Sequence, residues 1–186
     1  LESLSTLKSP TGSKECAPVH SPEVKRQTIE QTMERLPNGT RRLAAQLRTP
    51  ISIDSIWRVL TDYDHLSEFI PNLASSNVVS RNRNRVHLKQ VGCQYLMGFR
   101  FSAAVELELF EDRESGLLEF KLLKGDFRRF DGAWKISEFS KEGGSCLLYE
   151  LTVQGCLGMP VALIEQRLRE DLKANLLAVE KAAMRI

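Results

Sequence analysis

The side chains best suited to chemistry are few in this chain and poorly arranged for it. Its three histidines are His20, His65 and His87, and its four cysteines are Cys16, Cys93, Cys146 and Cys156. A metal site needs such ligands at short, regular spacings, and neither set has them. No Cys-x-x-Cys pair, Gly-x-Ser-x-Gly turn or Cys/His pattern frames a nucleophile. Asp62, Asp64 and His65 do cluster, but just after an apolar helical segment, where such residues cap and solvate. No catalytic residue, metal or cofactor is therefore expected. The cysteines read as reduced thiols of a cytoplasmic protein.

Two other polar side chains fall where the pattern is apolar. Asn175 lies on the apolar side of the last helical segment, and a buried amide needs partners. It orients a ligand carbonyl or hydroxyl, or it bonds a strand backbone or a buried water. Tyr149 offers a second polar handle with the same alternatives.

The element carrying Asn175 is the longest helical pattern in the chain, Met159 to Met184. At about 100° per residue, Val161, Ile164, Leu168, Leu172, Leu176, Val179 and Ala183 form one stripe. Leu163, Ala174, Leu177 and Ala178 widen it. Gln166, Arg167, Glu170, Lys173, Glu180 and Lys181 lie opposite. Pro160 suits the first turn, where its missing N–H costs nothing. Such a helix must cover something apolar, and strands supply it. Phe99, Phe101, Ala103, Val105, Leu107 and Leu109 alternate with Arg100, Ser102, Glu106 and Glu108. Leu118, Phe120 and Leu122 form a second alternating set. Phe130, Gly132, Trp134 and Ile136 form a third, and Leu147, Tyr149, Leu151 and Val153 a fourth. Shorter strands are expected at Ser76–Arg81 and Arg85–Val91, around the turn Asn82-Arg83-Asn84. Gly125-Asp126 and Glu142-Gly143-Gly144-Ser145 turn the chain between strands.

Ahead of these strands, Thr28–Leu36 and Thr40–Leu47 flank Pro37-Asn38-Gly39, a hairpin signal. Alternatively, Ser21-Pro22 opens a short helix there. Ser52 or Asp54 caps a helix carrying Ile53, Ile56, Trp57 and Leu60, and a second short helix spans His65–Ile70. Residues 1–24, rich in Ser, Thr and Pro, read as a flexible arm, which leaves residues 25–186 as one domain. The chain opens on Leu1, as a trimmed or processed start would. No run of about 18 apolar residues spans a membrane, and the first residues lack the apolar centre of a signal peptide. A net charge of +2 argues against nucleic acid as a partner.

The elements therefore run as a hairpin, two small helices, about six strands and a long helix, an α+β layer architecture. This is the order of the helix-grip fold, in which a curved antiparallel sheet wraps a C-terminal helix. Ser55-Ile56-Trp57-Arg58-Val59-Leu60-Thr61-Asp62-Tyr63, with Phe69-Ile70-Pro71, resembles the first-helix signature of the START-like (SRPBCC), polyketide cyclase/dehydrase and lipid-transport superfamily. Gly125-Asp126-Phe127-Arg128-Arg129-Phe130-Asp131-Gly132-Ala133-Trp134 resembles the corresponding segment of coenzyme Q-binding START proteins, which usually carry Gly-Pro-Phe at its start. Leu163 to Leu172, with Asn175-Leu176-Leu177, resembles the cyanobacterial and plastid members.

The resemblance implies an apolar cavity between sheet and helix. Its expected ligand-binding residues are Phe69, Leu96, Met97, Phe101, Ala103, Val105, Phe120, Leu122, Trp134, Tyr149, Leu168 and Asn175. Small Ala103 and Gly132 among aromatics leave volume. Leu96-Met97-Gly98 is expected at the mouth. The implied function is binding or transport of a hydrophobic small molecule such as a quinone, isoprenoid, pigment or lipid. Two rivals are a cyclase or dehydratase, which a facing polar pair inside the cavity would favour, and an interaction module with a filled core. Basic Arg81, Arg83, Arg85, His87, Lys89, Arg128 and Arg129 are either one side of a solvated outer face or a lip for anionic membrane. Glu106, Glu108, Glu111, Asp112 and Glu114 form the acidic counterpart. The linker Gly155-Cys156-Leu157-Gly158-Met159 is apolar and glycine-hinged.

Overall fold

The computed structural model describes residues 29–96, 98–139, 144–156 and 161–186, without the side chains of Leu96 and residues 161–164. Expectations placed on the arm, Met97, Glu142-Gly143 and the segment from Leu157 to Pro160 lie outside the described residues.

The chain opens with the expected hairpin. Strands β1 (Glu30–Arg35) and β2 (Arg41–Thr49) pair in antiparallel register. Asn38 stands at φ 58° in the turn, and Leu36 N–H donates to Thr40 O at 2.9 Å. Helix α1 (Ile53–Leu60) follows; of its two candidate caps Ser52 serves, its hydroxyl accepting from Ser55 N–H at 3.2 Å. The second short helix is instead a 3-10 segment at Tyr63–Glu68. Its backbone bonds run over three residues, and Asp64 Oδ1 accepts from Val78 N–H at 2.7 Å. A bond over four residues, Ile70 N–H to Leu66 O at 2.9 Å, forms only at its end, just before Pro71.

Six strands follow: β3 (Leu73–Asn82), β4 (Arg85–Leu96), β5 (Phe99–Asp112), β6 (Leu117–Gly125), β7 (Phe127–Glu138) and β8 (Ser145–Gly155). With β1 and β2 they form one curved antiparallel sheet ordered β1-β2-β8-β7-β6-β5-β4-β3. The last element is helix α2 (Val161–Ala183).

The alternation sorts the faces as expected. Leu43, Ala45, Leu47, Leu107, Leu109, Leu147, Leu151 and Val153 are buried, together with Leu172, Leu176, Val179 and Ala183 of α2. Helix α2 packs on β2, β8 and α1. Its buried arc differs from one stripe: Glu180, expected on the polar side, is buried, while Leu177 is 44% exposed.

The amino-terminal part of α2 is held by charge. Glu165 accepts from Arg35 Nη2 at 2.9 Å and from Arg41 Nε, tying the helix to β1 and β2. Its side chain is only 12% exposed. The two guanidiniums hold the Glu165 carboxyl down at about 2. A carboxylate depressed from the usual value of about 4.3 adds stability above that value and loses it on acidification. Replacing Glu165 by Gln should therefore lower Tm at neutral pH. The difference from wild type should shrink as pH falls from about 4.5 towards 2, followed by calorimetry. A difference constant over that range would show that the carboxylate does not hold the helix.

Candidate ligand-binding cavity

Because α2 rests on the β2–β8 side of the sheet, β4 to β7 face it across a gap. That gap is a cavity of about 350 Å³, within the range of small-molecule sites. Leu60, Tyr63 and Leu66 close one end from α1 and the 3-10 segment. Leu88, Leu107, Leu109, Leu118 and Leu151 contribute from the sheet, and Leu168 and Leu172 from α2. Its aromatic wall is ordered. Trp134 and Tyr149 stack at 3.9 Å and 5°, and Phe120 tilts against Tyr149 at 6.3 Å and Phe130 at 5.9 Å.

Of the twelve residues expected here, Phe101, Ala103, Val105, Phe120, Trp134, Tyr149, Leu168 and Asn175 share this cavity. Phe69 and Leu122 do not line it; both pack against the core elsewhere. Phe69 ends the 3-10 segment. Leu122 follows the last β6–β7 pair, Phe120 with Gly132, and pairs with Leu107 beside a register shift that breaks the simple alternation. Met97 lies outside the described residues, as does the side chain of Leu96. Gly132 is small for a reason other than cavity volume: a Cβ there would collide with Glu150 O and the Phe120 ring.

Exposed lining residues mark the mouth. They are Pro71, Asn72, Phe101, Ser102 and Arg167. Phe99 and Phe101, expected inward on β5, are 71% and 49% exposed. Period two fixes which side of the sheet they occupy, but among the described residues no element covers this end of the β4–β5 hairpin. Tyr95 is exposed beside them at 65%.

The wall is less uniformly apolar than the strand pattern indicated. Asp171 of α2 accepts from Asn72 Nδ2 at 3.0 Å and from Gln94 Nε2 of β4. Arg167, one turn earlier, donates to Tyr95 O at 3.3 Å. These bonds latch helix to hairpin at the mouth. Asn175, one turn later than Asp171, brings its Oδ1 to a fully buried position without a hydrogen-bond partner. Burial raises the Asp171 carboxyl above its usual range despite the two amide donors. Burial, and then the Asp171 charge, push the Tyr149 phenol up and keep it protonated. Sequence reasoning found Asn175 but missed Asp171, although residues four apart share a helical face.

At the β6–β7 break, Asp126 N–H donates to Ala104 O at 2.9 Å, and its carboxylate accepts from Ala104 N–H at 2.7 Å. Proline could not make the first bond, so Asp126 fastens β5 beside the cavity in its own way. On the outer face, the expected basic lip is neutralised in part. Arg85 pairs with Glu108 at 3.3 Å and His87 with Glu106 at 3.1 Å, while Arg81 pairs with Glu111 at 3.2 Å on the inner side, over the Tyr63 ring. Lys121 and Lys124 of β6 approach Glu108 and Glu106 from the other side at 3.0 and 3.2 Å. The acidic row of β5 thus lies between two basic rows, and the lysines hold both glutamates below their ordinary range.

The family described as polyketide cyclase / dehydrase and lipid transport matches residues 49–180. No curated protein matches the chain in sequence. Among solved structures, a protein of Thermus thermophilus is similar with a TM-score of 0.68 and 20% identity, over 77% of this chain and 97% of that one. An aromatase/cyclase from a Streptomyces species has a TM-score of 0.69 at 12% identity, over 78% and 94%. A STAR-related lipid transfer protein fragment from Xanthomonas axonopodis has a TM-score of 0.67 at 14% identity, over 84% and 93%. At such identities these likenesses concern the fold.

The latch generates a pH test. A carboxyl with a raised folded-state pKa favours folding most below its unfolded value, and that contribution is lost as pH rises through the folded value. Asp171→Asn removes the titration while keeping a side chain able to hydrogen-bond. The Tm of the variant relative to wild type should therefore increase from pH 3 to pH 7, read by thermal melts across that range. A relative Tm independent of pH would mean that the Asp171 carboxyl is not desolvated.

Proposed function

Since the chain belongs to the polyketide cyclase / dehydrase and lipid transport family, we propose that it binds and carries one hydrophobic small molecule, such as a quinone or another isoprenoid lipid, between α2 and the sheet. The observation that carries this reading is the cavity of about 350 Å³, walled by Phe120, Trp134, Tyr149 and Leu168. A domain evolved only for surface contacts would gain by filling such a space, since unfilled apolar volume costs about 24 cal/mol per Å³. Exposed Tyr95, Phe99 and Phe101 border the mouth and suit transient contact with a membrane surface during loading. Among the described residues no helix is long and apolar enough to cross a membrane.

A ring-closing or dehydrating enzyme is the second reading, favoured by the polar residues Arg167, Asp171 and Asn175 along the cavity side of α2. Binding is preferred because Asp171 is engaged by Asn72 and Gln94, and Arg167 by Glu170 and Tyr95. These groups are occupied in holding the mouth together.

Native mass spectrometry of protein purified from its source should show a co-purified lipophile at one per chain. Titration with a quinone and lipid panel should quench Trp134. Ala103→Trp, which fills the wall from an intermediate-exposure position, should weaken that binding by at least about tenfold, a cost of about 1.4 kcal/mol. Absence of any lipophile, with no binding across the panel, would overturn the reading. Turnover of an aromatic polyketide mimic would replace it with the enzyme.

A further inference from the structure

The polar groups around the cavity are not equally available to a ligand. Gln90 Nε2 donates to Ser76 Oγ at 3.1 Å, and the Tyr63 hydroxyl donates to Glu111 Oε1 at 2.7 Å. Asn72 and Gln94 donate to Asp171. Against this background Asn175 stands apart. Among the described residues, its Oδ1 is the fully buried side-chain atom for which the protein provides no hydrogen-bond partner. Leaving a buried acceptor unmatched is costly, so natural structures rarely do so without a partner supplied from outside.

Its position gives that partner a direction. Arg167, Asp171 and Asn175 follow one another at intervals of four residues, about one helical turn each. Arg167 is exposed at the mouth, Asp171 forms the latch, and Asn175 comes next towards the end of α2 where Leu172, Leu176 and Val179 are buried. Asn175 therefore sits at the inner end of the polar row, beyond the latch, in the cavity that Trp134 and Tyr149 wall with stacked rings.

We propose that the cavity selects lipophiles bearing a hydroxyl group, which enters first, turns the Asn175 amide so that its Oδ1 faces the cavity, and donates its hydrogen to that atom while the apolar body lies against the aromatic wall and trails towards Phe101. This rests on the reading of the cavity as a ligand site and narrows it: a phenol, a hydroquinone or an alcohol qualifies, whereas an oxidised quinone, which carries only acceptors, does not. An oxygen acceptor rewards a donor and rejects an ether or a hydrocarbon of the same shape, because those leave it unpaired. Phenols and aliphatic alcohols share this chemistry, and the aromatic wall favours the planar phenol.

Isothermal titration of the full chain with naphthol, its methyl ether, naphthalene and the saturated decalin alcohol tests this directly. Naphthol should bind about tenfold more tightly than the ether or the hydrocarbon, with the decalin alcohol between them. Asn175→Leu should abolish the preference, leave naphthalene binding equal or tighter, and raise Tm by a few degrees through loss of the unmatched group. The wild-type comparison alone decides the matter should that variant fold poorly. Equal affinities for naphthol, ether and naphthalene would overturn the proposal while leaving the cavity reading intact, and would mean that a water satisfies Asn175. Binding of none of the four probes would count against both.

Discussion

Everything in this structure depends on α2 being pinned at two places and held off the sheet between them. Its carboxy-terminal half is fixed by apolar packing: Leu176, Val179 and Ala183 are at most 4% exposed against β2, β8 and α1. Its amino-terminal turns are fixed by Glu165 between Arg35 and Arg41. Residues 168–175 bridge the interval and face the sheet across a gap. A single continuous apolar stripe would have drawn the whole helix down onto the strands. Asp171 and Asn175 interrupt that stripe, and the carboxyl–amide latch at the mouth keeps the helix and the β4–β5 hairpin at a set separation.

The same division organises the sheet. On the outer face β5 presents carboxylates between the cations of β4 and β6, so the strands are cross-tied where they face solvent. Such exposed pairs are individually weak, but they satisfy the charges in register. On the inner face, β6 and β7 pair through only four residue pairs, from Leu117 to Phe120, before they part. Gly125 and Asp126 then attach the departing strand to β5 through Ala104. Curvature and cavity therefore have a common local origin: the sheet is well tied across its outer face and loosened where it must bend round the helix.

Much of this was legible before any coordinates. Period two in β2, β5, β7 and β8 and period 3.6 in α2 each report a local property of one segment, so the element order and most of the core followed directly. What was lost depended on how far one element reaches over another. Phe99 and Phe101 lie on the inner side of β5, yet nothing in that strand records that they stay exposed at its end. Glu180 looked solvated because its own helix is polar there, yet it is buried in the fold, and its helix also packs on α1, more than a hundred residues away in sequence. Leu122 obeyed the alternation until a register shift in β5–β6 pairing removed it from the cavity. Asp171 was within reach of the pattern, since the helical spacing that placed Asn175 inward places Asp171 beside it.

The central claim is that an accessible apolar space persists beneath the bridging residues of α2. Crystallography of the protein under xenon pressure measures this most directly, because xenon occupies dry apolar cavities and leaves packed interiors empty. The account predicts xenon density between Leu168 of α2 and the Phe120–Trp134–Tyr149 wall, with the helix unmoved. Side chains of that wall meeting α2 in van der Waals contact, with no xenon between them, would contradict it.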